Sequence, residues 1–467
     1  MSIKFRSILD SSGIRYFLED LNLSSSYARI VMLDREISVS EQDIALLYSE
    51  LEEFLKILTS ENKPVIDKLK IKLAELKDIR NSLSRVAGGV TPDDIEFFEI
   101  KALAMLNEDI KVLLAKLGIN SVQLPSLSNV EAILDPDSNR ITSFYIYDSY
   151  SSRLAELRTK LKKLFDSNTF DNNSINLEKE NNKNCCNSEL TLEIETLEEG
   201  IRKDLAKKIA PSIPSLELSL KLLAKTDILQ SKASQMYRHG LIIPKISKSG
   251  TLYKGLFNPE VAGILKAERK EFQRIDIDFD SPLLITGANM GGKSLTLKTL
   301  ALVQYLFQFG FGVPASEAAI VPVNEVFLSI GDEQNYKLGL SSFAAEMKRI
   351  NESIVALRNR KRERREVLIL VDEPARTTNP LEGTALATAL IAIFVEQKAL
   401  SVLTTHYNID SVDCRRLRVR GFEDGKMNYA LIPDIGGDVP REALRIAHSL
   451  GIDEEWLNRA REILKED

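Results

Sequence analysis

The stretch from Gly287 to Ser294 carries the residue types that bind phosphate, in the pattern G-x-x-x-x-G-K-[ST]. Glycines let successive backbone N–H groups approach phosphate oxygens, because a Cβ would block that approach. The lysine would reach the β- and γ-phosphates, and the serine hydroxyl would bind Mg²⁺. The predicted nucleotide-binding residues are therefore Gly287, Ala288, Asn289, Met290, Gly291, Gly292, Lys293 and Ser294.

The segments on either side of this loop support the prediction. The apolar run from Leu283 to Thr286 precedes the loop and predicts a buried strand. Apolar residues at helical spacing follow it from Leu295 to Phe309. A strand, a glycine-rich turn and a helix are the context that a phosphate loop requires, and the helix N-terminus adds partial positive charge. A purely structural glycine-rich turn is the alternative, and these flanks disfavour it.

Two carboxylates follow an apolar run farther along the chain. The run from Val367 to Val371 predicts a strand, and Asp372 and Glu373 come directly after it. Buried parallel strands bring their last residues to the edge of the sheet where ligands bind. There Asp372 would hold Mg²⁺, directly or through water, and Glu373 would orient or deprotonate the attacking water.

Two further stretches could contact the terminal phosphate of a nucleotide. His406 follows a predicted strand over 401–405 and could contact the γ-phosphate; the alternative is an ordinary loop histidine. Residues 339–347 open a helix, for which Ser341 or Ser342 is a suitable N-cap. Alternatively, this helix N-terminus faces the nucleotide of a partner subunit. The spacing leaves both interpretations open.

The predicted secondary structure changes near residue 238, from mostly helical to alternating strands and helices. Residues 1–125 predict a helical core region, and residues 126–237 predict further helices with a short strand from Ile141 to Tyr147. Within the second region, residues 166–189 contain eight asparagines and predict a flexible insert. Residues 238–467 alternate strands with helices, which predicts an α/β fold with a mostly parallel sheet. The predicted strands there are 275–279, 283–286, 326–328, 367–371 and 401–405.

Composition narrows the class of protein. The 467 residues carry a net charge of −6, so the chain has no overall basic balance of the kind that dedicated nucleic-acid binders usually carry. The basic run 358–365 is either a solvated helix end or a contact for a phosphate backbone. Three cysteines, two of them adjacent, favour a reducing cytoplasm over a disulfide framework. We expect no export signal and no membrane span.

The motifs together resemble those of MutS-type ATPases, proteins related to DNA mismatch repair MutS. Asn-Met-Gly-Gly at 289–292 is distinctive of that family's phosphate loop. Other stretches are similar to its remaining ATPase motifs in the same order, at 311–315, 329–332, 341–347, 372–373 and 405–407. More broadly, 86–101 and 140–158 are similar to its core and lever region, and 443–464 to its terminal helical dimerisation segment.

The resemblance implies an ABC-type P-loop NTPase domain of the α/β class, preceded by an all-α core and lever domain. It implies ATP and Mg²⁺ as cofactors and a homodimer, or a heterodimer with a related ATPase. Lys293, Glu373 and His406 would act in catalysis, and Ser294 and Asp372 would hold the metal. Ser341 would reach the γ-phosphate bound by the partner.

This chain also departs from the family's pattern. It resembles a short form without the mismatch-reading, connector and clamp domains; the clamp would be inserted near 166–189. After the carboxylates the family has Gly-Arg-Gly-Thr, whereas this chain has Ala-Arg-Thr-Thr at 375–378.

Three functional hypotheses follow from the motifs and these departures. The first hypothesis is a dimeric DNA-binding switch. The second is a protein remodeller, such as a reactivating factor for a cobalamin-dependent aminomutase. An inactive scaffold is the third, and the intact Lys293, Asp372 and Glu373 disfavour it.

Overall fold

The computed structural model describes most of the chain as two compact units. The described residues are 3–10, 13–170, 177–287, 291–330, 342–359, 367–407, 409, 411–423, 426–434, 443–449 and 451–466. The first unit comprises Met1–Asn22, Leu33–Leu55 and Lys232–Asp467, and the second comprises Leu23–Met32 and Lys56–Ser231. No helix within these ranges is long and apolar enough to cross a membrane.

The elements are numbered along the chain. The helices are α1 (Ile14–Asp20), α2 (Ser26–Asp34), α3 (Glu41–Lys56), α4 (Lys63–Leu73), α5 (Arg80–Ala87), α6 (Asp94–Leu117), α7 (Ser128–Leu134), α8 (Ser152–Phe170), α9 (Leu177–Ile209), α10 (Ile213–His239), α11 (Pro259–Ala267), α12 (Lys293–Gln308), α13 (Ser342–Asn359), α14 (Pro380–Glu396), α15 (Ala443–Ser449) and α16 (Glu454–Glu466), with short 3₁₀ helices at Phe5–Ile8, Asp148–Tyr150 and Ala210–Ser212. The strands are β1 (Lys245–Ile246), β2 (Thr251–Leu256), β3 (Ile275–Phe279), β4 (Leu283–Thr286), β5 (Glu317–Ile320), β6 (Glu325–Ser329), β7 (Val367–Asp372), β8 (Leu400–Thr404), β9 (Arg415–Glu423) and β10 (Lys426–Pro433).

A six-stranded, mostly parallel sheet organises the first unit. Its order is β10-β9-β4-β8-β7-β6, and only β10 runs antiparallel to its neighbour. A smaller sheet has the order β1-β5-β2-β3. The prediction of an α/β fold with a mostly parallel sheet is confirmed. The five strands predicted in this half all exist, with bounds within one residue of those predicted.

The register of the large sheet brings three strand ends together. Ile285 of β4 and Asp372 of β7 both lie opposite Thr404 of β8, which runs between them. Because all three strands are parallel, their carboxyl ends meet at one edge. The phosphate-loop stretch and the two carboxylates therefore leave the sheet side by side.

The predicted strand from Ile141 to Tyr147 is wrong, since no strand forms there. Tyr147 is fully buried among aromatic rings of the helical unit, and Phe144 packs against Phe97 with ring centroids 5.0 Å apart. Side chains from nearby helices bond to backbone carbonyls of this segment: Lys101 to Ser143 and Arg158 to Ile146. Phe144, Ile146 and Tyr147 are thus buried in a helical core, and no neighbouring strand pairs with them.

The flexibility predicted for the insert at 166–189 stays a prediction, but the insert is not free of regular structure. Helix α8 continues to Phe170, and α9 begins at Leu177, so helical structure covers most of the insert. Residues 171–176 lie outside the described residues. Asparagine lowers helix propensity by only about 0.7 kcal/mol or less per residue relative to alanine. Its abundance therefore does not prevent helix formation.

The amino-terminal segments join the sheet-containing unit because helix α12 must be covered on all sides. Twelve of its residues are buried. The Tyr48 hydroxyl of α3 donates to the carbonyls of Phe307 and Phe311 at 3.1 and 2.9 Å. The Phe5 ring lies 4.9 Å from that of Phe309. A parallel sheet covers one side of such a helix, and 1–22 and 33–55 contribute to the rest.

A buried lysine from helix α10 caps the C-terminal end of α12. Lys232, near the end of α10, donates from Nζ to the carbonyls of Phe309 and Gly310 at 2.6 and 3.1 Å. Its Nζ also lies 4.1 Å from the centroid of the Phe311 ring. The last carbonyls of a helix have no partner within the helix, and an amine in either protonation state can donate hydrogen bonds to them. Lys232 therefore caps the helix that begins at the phosphate loop.

The lowered pKa of Lys232 makes the free energy of unfolding depend on pH. Burial lowers the pKa of Lys232 well below its ordinary value, and the nearby Arg35 charge acts in the same direction. In the unfolded chain the pKa of a lysine is about 10.4. Between these two pKa values the unfolded chain binds more protons than the folded chain. The free energy of unfolding therefore rises with pH across that window and levels off above about pH 10.4.

We expect Lys232→Met to remove this rise, which amounts to at most about 1.4 kcal/mol per pH unit. Urea unfolding of wild type and variant at about pH 7 and about pH 9.5 measures it, with wild type gaining stability relative to the variant at the higher pH. Lys221→Met, at an exposed lysine of the same helix, controls for loss of a charge. Equal pH dependence of wild type and Lys232→Met would contradict the prediction.

Candidate nucleotide-binding site

The described part of the phosphate loop has glycines at two positions with positive φ and little space for a side chain. Gly287 follows β4 with φ +131°, and Gly292 precedes α12 with φ +75°. A Cβ on Gly287 would lie 3.1 Å from Val419, and one on Gly292 would lie 3.3 Å from the Tyr429 ring. The positive φ therefore favours glycine at these two positions, where the space for a Cβ is also tight. Ala288, Asn289 and Met290 lie outside the described residues.

Lys293 folds back over this loop. Its Nζ donates to the Gly287 carbonyl at 2.5 Å and lies 3.1 Å from Oε1 of Glu373. Both side chains are almost fully buried, at 4% and 9% exposure. Removing one partner of such a pair would leave an uncompensated buried charge. The positive charge at the helix N-terminus is thus held between the loop and the second carboxylate.

The first carboxylate, Asp372, accepts two hydroxyl hydrogen bonds. Ser294 Oγ donates to one carboxylate oxygen at 2.5 Å, and Thr404 Oγ1 donates to the other at 2.5 Å. The backbone N–H of Glu373 donates in turn to Thr404 Oγ1 at 3.1 Å. A serine from the loop, a threonine from β8 and an aspartate from β7 thus meet at a single point.

The Ser294 and Asp372 oxygens fit a magnesium ion bound with a phosphate ligand. Mg²⁺ prefers hard oxygen ligands, and proteins usually hold it with one or two carboxylates while substrate phosphates and water supply the rest. Among the described residues, no group of three or more His, Cys, Asp or Glu side chains forms a cage for a metal. A site built from one carboxylate and one hydroxyl agrees with that mode of binding.

Basic side chains lie around the second carboxylate. Besides Lys293, Arg376 lies 3.6 Å and His406 Nδ1 lies 3.8 Å from Oε2 of Glu373. The distance to His406 is too long for a hydrogen bond. His406 Nδ1 is also buried without a hydrogen-bond partner in the described part of the chain. A buried polar atom of this kind is a candidate contact for a bound group.

The structure brings together most of the residues singled out from the sequence. Gly287, Gly291, Gly292, Lys293 and Ser294 lie at the edge of the sheet where β7 and β8 end, as do Asp372, Glu373 and His406. Ser341 lies outside the described residues, as does most of the basic run 358–365. The roles assigned to all of these residues stay predictions.

Sequence reasoning missed three residues of this edge. Thr404 donates a hydrogen bond to Asp372, and the sequence signal for it is a polar residue at the end of a mostly apolar strand. Arg376 lies beside Glu373 but occupies an altered stretch of the family's pattern. Tyr429 approaches Gly292 from the antiparallel strand β10, and no local pattern distinguishes it.

Comparison with known proteins agrees with this geometry. Residues 283–420 match the family described as MutS domain V. The chain is similar to proteins named Endonuclease MutS2. The one from Finegoldia magna is 31% identical over 295 residues, covering 60% of this chain and 36% of that protein. The one from Fusobacterium nucleatum is 33% identical over 260 residues, covering 52% and 31%. The one from Thermus thermophilus is 31% identical over 273 residues, covering 57% and 35%.

The matched domain contains β4, the phosphate loop, both carboxylates and His406. The chain spans about a third of the length of the curated relatives it matches. The resemblance drawn from the motifs and the match to the domain V family thus agree over the same residues. Over residues 283–420, this chain is similar to MutS domain V.

Proposed function

We propose that this protein binds ATP with Mg²⁺ at the edge of the six-stranded sheet and hydrolyses it. The observation that carries the proposal is the pair of contacts Ser294–Asp372 and Lys293–Glu373. They join the phosphate loop to two carboxylates at the end of a parallel strand, the arrangement that phosphoryl-transfer chemistry uses. The reducing environment favoured by the cysteine content would place this activity in the cytoplasm.

Each residue has a role in this proposal. Backbone N–H groups of the loop and Lys293 bind the phosphates. Ser294 and Asp372 would hold Mg²⁺, whose positive charge would offset the negative charge of the phosphates. Lys293 exchanges its contacts with Gly287 and Glu373 for phosphate oxygens. Glu373 is then free to accept a proton from the attacking water. His406 turns its unpartnered Nδ1 side toward the terminal phosphate.

We propose further that the active form is a dimer, of two copies or of one copy and a related ATPase. Support comes from the C-terminal helices. Helix α16 exposes Trp456 and Ile463, seven residues apart and therefore on one face, at 68% and 64%. Large exposed apolar side chains on one face are typical of interaction surfaces. Ser341 of each copy would complete the site of the other.

The first test separates binding from hydrolysis. We expect Glu373→Gln to lower phosphate release by about 10²- to 10⁴-fold, because the water loses its base. ATP binding, followed by calorimetry, should change little. Lys293→Ala should weaken binding itself, because the phosphates lose a charge partner. Glu396→Gln, at an exposed position of α14, is the control. A Glu373→Gln variant that keeps the wild-type rate would refute the assignment of Glu373.

The second test concerns association. Glu373→Gln should accumulate as an ATP-bound dimer, because the nucleotide that joins two copies is no longer consumed. Sedimentation velocity should show the dimer with ATP and Mg²⁺ and its loss when EDTA removes the metal. Monomers alone at saturating ATP would show that a single chain forms the whole site.

The target of the cycle is proposed to be DNA, in keeping with the MutS relationship. We expect duplex or branched DNA to change the ATPase rate, and affinity to fall with salt at a slope of about −0.9 per phosphate contacted. ATPase assays with and without DNA over a salt series measure both. No response to DNA at physiological salt would contradict the DNA-binding switch. Recovery of a stably bound enzyme in pull-down would then favour the protein-remodelling alternative.

A further inference from the structure

The backbone directly after the candidate catalytic carboxylate adopts a conformation that its residues disfavour. Glu373 has φ +45° and Ala375 has φ +60°, with Pro374 between them. For a residue with a Cβ, the left-handed region brings that atom too close to the following carbonyl oxygen. Such conformations persist only when the surroundings enforce them, and they cluster at functional sites.

Two side chains from other elements hold Ala375 in place. The Tyr407 hydroxyl donates to the Ala375 carbonyl at 3.1 Å. The Ala375 N–H donates to Oε1 of Glu346, on helix α13, at 3.0 Å. Ala375 itself is fully buried. The Ala375 carbonyl also accepts a longer hydrogen bond, at 3.4 Å, from the Thr378 N–H within the turn. The shorter contact to this carbonyl and the contact to the N–H therefore both come from side chains outside the turn.

The Tyr407 hydroxyl has little freedom to leave this position. Its ring belongs to the buried cluster that includes Leu390 and Phe394 of α14. A Cβ on Gly383 would lie 2.4 Å from the hydroxyl oxygen, so only glycine leaves room for it there. Burial raises the pKa of Tyr407, and the charges of Glu346 and Glu373 act in the same direction. The hydroxyl therefore stays protonated and donates a hydrogen bond to the Ala375 carbonyl.

We propose that Tyr407, assisted by Glu346, is a positioning residue that holds Ala375 in the left-handed conformation and thereby aims the Glu373 carboxylate. This inference rests on the ATPase function proposed above. Tyr407 directly follows His406, so one turn carries both the candidate γ-phosphate contact and the support of the candidate base. A displacement of that turn would disturb both groups together.

The test uses Tyr407→Phe, Ala375→Gly and the double variant, read as kcat and KM for ATP. Tyr407→Phe removes the hydroxyl but keeps the ring, and we expect kcat to fall about five- to tenfold with KM within about twofold. Ala375→Gly alone stays near wild type. In the double variant we expect kcat to return to within about twofold of Ala375→Gly, because glycine adopts a positive φ without support. Rescue of this kind would not follow from a general loss of packing.

The chain offers a matched control for the loss of a tyrosine hydroxyl. Tyr150, in the second unit, donates to the Ile133 carbonyl at 2.7 Å. We expect Tyr150→Phe to leave kcat and KM unchanged. An unchanged kcat in Tyr407→Phe would overturn the inference, and so would a double variant that stays as slow as Tyr407→Phe.

A structural measurement separates this inference from the ATPase proposal. If the wild-type protein hydrolyses no ATP, the proposed function fails and the rates say nothing about Tyr407. A crystal structure of Tyr407→Phe then decides the question. Ala375 outside the positive-φ region would support the inference, and Ala375 still near φ +60° would overturn it.

Discussion

The hydrogen bonds to Asp372 join the parts of the candidate site that lie far apart in sequence. Ser294 reaches one carboxylate oxygen from the start of α12, and Thr404 reaches the other from the end of β8. Strand β8 runs between β4 and β7, and Thr404 lies opposite both Ile285 and Asp372, so the three strand ends meet at one edge. The parallel sheet is the scaffold for this meeting point, and its register decides which side chains share it.

The sequence predicts the sheet-containing half well for a physical reason. Strands buried on both faces are nearly continuous apolar runs, so β4, β7 and β8 are visible without knowledge of their neighbours. The phosphate loop is visible because few residue types allow backbone N–H groups to converge on phosphate. The gathering of Lys293, Ser294, Asp372 and Glu373 follows from those two facts.

What the sequence does not predict depends on partners distant along the chain. The apolar segment that ends at Tyr147 has a strand-like composition, but its packing neighbours are helices. Thr404 and Tyr407 gain their roles only when β8 is placed beside β7 and the turn after it. Likewise, the sequence of the amphipathic helix α3 does not indicate that its partner is α12 rather than another helix. Periodicity shows which face is buried and leaves the covering partner undetermined.

The burial of α12 on all sides bears on how the catalytic half could be isolated. A fragment that begins at residue 238, where the predicted secondary structure changes, would lack Lys232, Tyr48 and Phe5. The phenylalanines at 307, 309 and 311 would then face water, and the final carbonyls of the helix would lose their capping amine. A minimal expressible nucleotide-binding fragment must therefore include pieces from both ends of the chain. The folding of this unit accordingly depends on bringing its amino-terminal segments to residues that follow the intervening segment 56–231.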